Sequence, residues 1–262
     1  MNLRALGLAV ALMASPAAAR ADAPPRAVPP PPMVACCDAA PSEWTGLYVG
    51  IHAGGAWSDP SWTFPFVESF NTAAGQGFTT SAQGALLGGH LGLNYQLHRY
   101  FLIGAEVSWA DSRLSDTVTG PVAGSPNDRF TVAMHDLLTV TGRLGVVAGQ
   151  YLFYAKGGWA RADVDINAKS ATGTAAQVRI HQDGWTVGGG LEARIISNVL
   201  FGLEYDYVSL PGDRYTTVTT GTAPNQPFNA DISSLHVHAV VARLSILFGP
   251  HACCGEGVLG KW

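Results

Sequence analysis

Four acids, Glu106, Glu192, Glu204 and Asp206, and four bases, Arg143, Lys156, Arg194 and Arg243, each stand between apolar neighbours along the chain. Equal numbers of acids and bases suit mutual pairing. Two carboxylates among them could also serve as a general acid and base, provided a substrate can reach them. His52, His90, His236 and His238 offer ring nitrogens to a metal, and His236 and His238 share a face at i, i+2. Spacing fixes no carboxylate partner to them, which favours an interfacial or loop-contacting role. Ser233 or Ser234 beside His236 is the one nucleophile–base pairing in view, of the kind a lipid hydrolase or acyltransferase needs. Cys36-Cys37 and Cys253-Cys254 complete the reactive set.

The elements that must position these groups are strands. From Trp44 onward the apolar residues recur with a period of two. In the first segment Leu47, Val49, Ile51, Ala53 and Trp57 share a face, opposite Gly46, Tyr48, Gly50, His52 and Gly54. The second, about 82–95, sets Leu87, Leu91 and Leu93 against Gly88, His90 and Gly92. The third, 100–110, sets Phe101, Ile103, Val107 and Trp109 against Gly104 and Glu106. The fourth, near 131–148, puts Arg143 opposite Leu144 and Val146, and the fifth puts Lys156 opposite Phe153 and Trp159. The sixth carries Glu192 and Arg194 opposite Trp185, Val187 and Leu191. The seventh carries Glu204 and Asp206 opposite Phe201, Leu203 and Tyr205. The last, roughly 233–248, carries Arg243 opposite Leu244 and Ile246.

The connections between these segments alternate in length. Those near Gln96–Arg99, Gly149-Gln150 and Ser197-Asn198 are tight; those at about 58–80, 111–130, 165–179 and 209–232 are long. Outer-membrane barrels have this asymmetry, with short periplasmic turns and long external loops. Several segments run long enough to cross a bilayer at a tilt. Trp44, Trp57, Trp109, Tyr151, Trp159, Trp185, Tyr207 and Phe248 lie near segment ends, where interfacial girdles would fall. The fold expected is all-β: an eight-stranded antiparallel up-and-down transmembrane β-barrel over residues 44–248.

Composition agrees. Charged residues are 13% of the chain, against about 25% in soluble domains, and after the N-terminus no apolar run reaches 18 residues, so no spanning helix is expected. Residues 1–21 read as a signal peptide, with Arg4 before an apolar stretch from Ala5 to Met13 and Ala19-Arg20-Ala21 as the cleavage site. Removing them takes the formal charge from −4 to −6, which excludes a basic nucleic-acid-binding surface. The proline-rich residues 22–43 read as an extended periplasmic tether, and 249–262 as a cysteine-containing periplasmic tail.

A barrel of eight strands is only wide enough for side chains to fill it. The eight charges on its inner face are therefore expected to pair across the interior as a plug, since an unpaired buried charge costs several kcal/mol. Inner-face glycines make room for the long arginines and lysine. A buried catalytic dyad is disfavoured, because substrate could not reach it. No cofactor is called for.

Trp44-Thr45-Gly46-Leu47-Tyr48-Val49-Gly50 resembles the opening strand of the Omp25/Omp31-like outer-membrane proteins of alphaproteobacteria. Thr141-Gly142-Arg143-Leu144-Gly145 and Tyr154-Ala155-Lys156-Gly157-Gly158-Trp159-Ala160 are similar to that family's fourth and fifth strands. Gly184–Glu192 and Leu203-Glu204-Tyr205-Asp206-Tyr207 are similar to its sixth and seventh. The resemblance covers about 44–248 and implies an abundant, surface-exposed, porin-like envelope protein without catalytic residues. It also implies outer-membrane lipid and the outer-membrane assembly machinery as partners.

Two features depart from the pattern. Phe248 sits where the family ends its last strand, yet fourteen residues follow it, ending on Trp262. The cysteine pairs are the other departure, both on the periplasmic side of the expected topology. Oxidation there favours disulfides, either between Cys36-Cys37 and Cys253-Cys254 or between two chains as a covalent dimer. A four-thiolate metal site with His251, or free thiols, are the other readings. The leading function is structural, with loops rich in Thr, Ser, Ala, Gly and Pro exposed to an extracellular partner. A porin-like channel for small solutes is the alternative.

Overall fold

The computed structural model describes residues 44–66, 74–121 and 127–249. The expected signal peptide, tether and most of the tail, with Cys36, Cys37, Cys253 and Cys254, lie outside them. Thirteen strands form: β1 Gly46–Ser58, β2 Ser61–Thr63, β3 Gly77–Thr79, β4 Ala82–His98, β5 Phe101–Thr119, β6 Arg129–Ala148 and β7 Tyr151–Lys169. They continue with β8 Thr174–Ile196, β9 Val199–Leu210, β10 Asp213–Val218, β11 Thr220–Gly221, β12 Pro227–Ile232 and β13 Leu235–Phe248.

The expectation of a single eight-stranded up-and-down barrel is corrected here. The strands make two sheets, one of nine in the order β11-β8-β7-β6-β5-β4-β1-β13-β9 and one of four in the order β10-β12-β2-β3. Within the larger sheet β8 also pairs with β9, from Trp185 opposite Ser209 to Ile196 opposite Val199. The surplus strands arise from segments read as loops. Trp62, Phe78 and Phe228 alternate with Thr, Asn and Gly over short spans, and that alternation forms the smaller sheet.

The remaining long connections are mostly strand. β5 runs to Thr119 before β6 begins at Arg129, and only residues 170–173 separate β7 from β8. The tight turns fall at Arg99-Tyr100, Gly149-Gln150 and Ser197-Asn198, with Gly149 at a φ of 61° that favours glycine.

The two faces of the main sheet differ in polarity as the period of two requires. Outward, Ile51 is 61% exposed, Leu144 67% and Leu203 56%, and more than twenty further large apolar side chains accompany them. So continuous an apolar surface is incompatible with water and suits lipid. The belt is about ten residues tall on each strand, near the ~25 Å of a barrel's lipid-facing band once strand tilt is allowed for. Tyr95, Tyr151 and Phe248 edge it near the tight turns; Trp57, Trp109, Trp159 and Trp185 edge it at the other end. Trp44 departs from the expected girdle. It is fully buried in a cluster with Tyr48, Leu102, Val147, Leu152, Tyr154, Leu200 and Leu247.

Beyond the belt, on the side away from the tight turns, the inner face becomes an ordinary apolar core. Leu114, Met134, Val164, Ile166 and Leu210 from the main sheet pack with Trp62, Phe64, Phe130 and Phe228. Phe130 sits 5.6 Å from Phe64, 5.3 Å from Phe78 and 5.9 Å from Trp62 between ring centroids, distances at which aromatic pairs attract. The segments expected to be polar loops therefore fold down as a lid with its own core. Phe130→Ala should cost this lid about 3–5 kcal/mol. Protease added to intact outer membranes should then cut the external segments, while the heat-modifiable gel migration of the belt persists.

Candidate functional site

Seven of the eight charged residues proposed for the interior converge between the two apolar clusters. Arg243 on β13 donates through Nη1 to Glu106 Oε1 at 3.1 Å and makes further close bonds to Glu106 Oε2 and Glu204 Oε2. Its Nε lies 3.7 Å from Glu192 Oε1. Arg143 on β6 donates to Glu192 Oε2 at 3.1 Å and to the Tyr48 hydroxyl at 2.8 Å. Its guanidinium carbon stands 3.9 Å from the centre of the Tyr154 ring, within cation–π range. Lys156 on β7 donates to Glu204 Oε1 at 2.8 Å, with Asp206 Oδ1 at 3.1 Å and Glu106 Oε1 at 3.7 Å.

Arg194, two residues beyond Glu192, reaches toward the turn that follows. Its Nη1 donates to the Ser197 carbonyl at 2.9 Å and its guanidinium lies 5.1 Å from the Trp44 ring centre. Face alone placed it with the others; its height along β8 sets it at the sheet's end.

Tyrosines knit the lattice together, and charge counting had passed over them. The Tyr48 hydroxyl donates to Glu106 Oε2 at 2.7 Å, and the Tyr154 hydroxyl donates to Glu204 Oε2 at 2.6 Å. Their signal in the sequence is phase: Tyr48 and Tyr154 fall in step with the glycines and charges of the polar face.

Room for these groups comes from the strand next door. Glu106 and Tyr48 both face Gly92 in the register, Arg143 faces Gly104, and Lys156 and Asp206 both face Gly188. Glu192 and Arg243 both face Gly202, while Glu204 and Tyr154 both face Gly190. A β-carbon at Gly104 would lie 2.8 Å from Arg143 Cγ, one at Gly190 2.7 Å from the Tyr154 hydroxyl, and one at Gly92 would overlap the Tyr48 ring. No real β-carbon tolerates such contacts.

Glu106, Arg143 and Arg243 are each only 2% exposed, and Glu192 1%, so the lattice leaves no column of water past them. Above it lie His52 and His90, stacked at 5.6 Å, with His90 Nε2 2.7 Å from Ser245 Oγ. A cavity of about 30 Å³ touches His52, Thr139, Lys156 and Asp206, room for about two waters. His52 and His90 are thus interior groups. His236 and His238 face outward and bond Tyr207 and Tyr205. Ser233 Oγ accepts from the Ser61 amide at 3.0 Å, so the fold engages Ser233 and His236 with different partners. Among the described residues no group of three or more His, Cys, Asp or Glu could hold a metal ion.

Comparison with known proteins agrees with this geometry. A family model described as "Outer membrane protein beta-barrel domain" matches residues 5–223. The 31 kDa outer-membrane immunogenic protein of Brucella melitensis is 29% identical over 174 residues, covering 64% of this chain and 72% of that protein. Its namesake from Brucella suis gives the same figures. These relatives are of the kind that the strand motifs resemble. Among solved structures, the outer membrane protein OprG from Pseudomonas aeruginosa has a TM-score of 0.52 at 16% identity, covering 78% of this chain and 97% of that one. The outer membrane protease OmpT from Escherichia coli has a TM-score of 0.50 at 9% identity, with the same coverage of both chains. At such identities these two speak to the fold alone.

Two substitutions test the lattice. Arg243→Leu strips Glu106 and Glu204 of their closest cation and should cost about 3–5 kcal/mol, read as a lower urea midpoint of the micelle-folded protein. Gly190→Val overpacks the lattice against Tyr154 and should cost about 1–3 kcal/mol in the same measurement. Shortening Tyr154 to Ala in the Gly190→Val background should recover part of that loss.

Proposed function

Because the chain belongs to the outer membrane protein beta-barrel domain family and lies in the outer membrane with its apolar belt in lipid, we propose a non-enzymatic envelope role for it. The body is a strand-built element that reinforces the membrane and displays a folded external surface. One observation carries this reading: three unlike layers occupy the interior in succession, broken only by a small cavity beside Lys156 and Asp206. An apolar cluster around Trp44 lies below, the ionic lattice in the middle, and the aromatic core under the lid above. Evolving a solute path would require all three to give way at once.

Surface display fits the name of the Brucella relatives, which calls them immunogenic. The same reading takes the assembly machinery and an extracellular partner of the lid as contacts. A covalent dimer through Cys36, Cys37, Cys253 or Cys254 also belongs to it.

The competing reading is a porin-like channel. Planar-bilayer recording of the purified protein decides between them. The expected record is a flat baseline, with rare small openings at most. Steady, large, ohmic steps from a homogeneous sample would overturn the closed-body reading.

A further inference from the structure

At the end of the belt away from the tight turns, most of the rim is marked by single tryptophans: Trp109 on β5, Trp159 on β7 and Trp185 on β8. Between β1 and β8 the pattern changes. The register sets Trp57 beside His238 and His238 beside Tyr207. In the next row His236 faces Ser209, and Ser209 faces Trp185. These outward positions form one continuous polar and aromatic patch across four strands.

The two imidazoles in it are held in place. The Tyr207 hydroxyl lies 2.7 Å from His236 Nδ1, and the Tyr205 hydroxyl lies 2.7 Å from His238 Nδ1. Tyr207 stacks on His236 at 5.8 Å and 12°, and Trp57 stacks on His238 at 5.5 Å and 10°. Both clamps use Nδ1 and leave Nε2 on the opposite side of the ring. In a neutral ring with the phenol donating, the proton resides on Nε2; in an imidazolium with the phenol accepting, Nε2 carries one as well. With the phenols donating to Nδ1, or with the rings protonated, the strand presents two N–H donors side by side, on residues roughly 7 Å apart along it.

Two fixed N–H donors side by side suit an anion with several oxygens. The neighbouring guanidinium does not compete for that role, since Arg161 is already bidentate to Asp183 at 2.8 and 3.0 Å. The height of the patch fixes where the anion comes from. It lies where the apolar belt of the outer leaflet ends, at the level of lipid headgroups rather than of bulk solvent. Ser209 adds a hydroxyl in the same row.

We propose that His236 and His238, held by Tyr207 and Tyr205, form a binding site for a phosphate monoester on the headgroup of an outer-leaflet lipid. The site is annular: the acyl chains lie against the belt below, and the phosphate bridges the two Nε2 donors. It rests on the outer-membrane placement but not on the closed interior, so a conducting protein would leave it untouched.

The test uses the full purified chain in phosphatidylcholine nanodiscs containing lipid A, either with its phosphates or enzymatically dephosphorylated. Native mass spectrometry counts the lipid retained. The wild type should enrich the phosphorylated form on the order of tenfold, as expected for two hydrogen bonds to an ionised phosphate partly offset by solvation. His236→Gln/His238→Gln should lose that enrichment. Tyr205→Phe/Tyr207→Phe, which keeps the imidazoles but removes their clamps, should fall between. Heat-modifiable migration reports that each variant is folded, and the single variant at the exposed His236, His236→Gln, serves if the double variant is not. Equal retention of both lipids by the wild type, or unchanged enrichment in the histidine variants, would overturn the proposal. Displacement of the lipid by dissolved inorganic phosphate would overturn the assignment to a lipid source.

Discussion

Space inside the main sheet is the constraint on which everything else depends. Each long inner side chain of the lattice is matched across the strand pair by a glycine, and four glycines, Gly92, Gly188, Gly190 and Gly202, each serve two partners. The missing β-carbons create the volume that the arginines, lysine and tyrosines occupy. Glycine weakens a strand by leaving it conformationally free and without a side chain to pack. Here that cost is offset because the neighbour's side chain lies over the bare backbone. Register is fixed in consequence: a slip of one residue would turn the charges toward lipid and the leucines inward.

The lattice in turn explains why the layers above and below it are apolar. With solvent excluded, each ion of the lattice loses its hydration, and close pairing with several partners is what offsets that cost. Trp44 and its neighbours exclude water from one side, and the aromatic core under the lid excludes it from the other. The gain from such a lattice lies less in net stability than in uniqueness. Glu106 meets Arg143, Lys156 and Arg243 from three different strands, so one carboxylate holds several strands at a common height.

Much of this was legible in the sequence, and for physical reasons. Lipid on one side and a crowded interior on the other impose a strict period of two, so segments such as Leu47–Trp57 and Val199–Tyr207 declare themselves. The charges at Glu106, Arg143, Lys156 and Glu204 announce the inner face for the same reason. Height is harder to read than face. Arg194 shares a phase with Glu192 yet lies near the turn, because alternation says nothing about which residues of different strands stand level. The smaller sheet escaped for another reason: its strands are as short as three residues, too few to establish a period. Trp62 and Phe78 fall within the connection expected at about 58–80. The tyrosine clamps on His236 and His238 needed the register between β9 and β13, which no single segment contains.

The lid has a bearing on the order of assembly. β12 pairs with β2, setting Asp231 opposite Thr63 and Ile232 opposite Trp62, so the lid is stitched from opposite ends of the chain. The lid cannot close until the chain from β2 through β12 is in place. Until then, Trp62, Phe64 and Phe228 lack the partners that later bury them. While β12 and β2 are apart, that end of the body, outside the lipid belt, is an unfinished aromatic crown. Conditions that delay their pairing would leave protein correctly inserted yet open to self-association from the cell exterior.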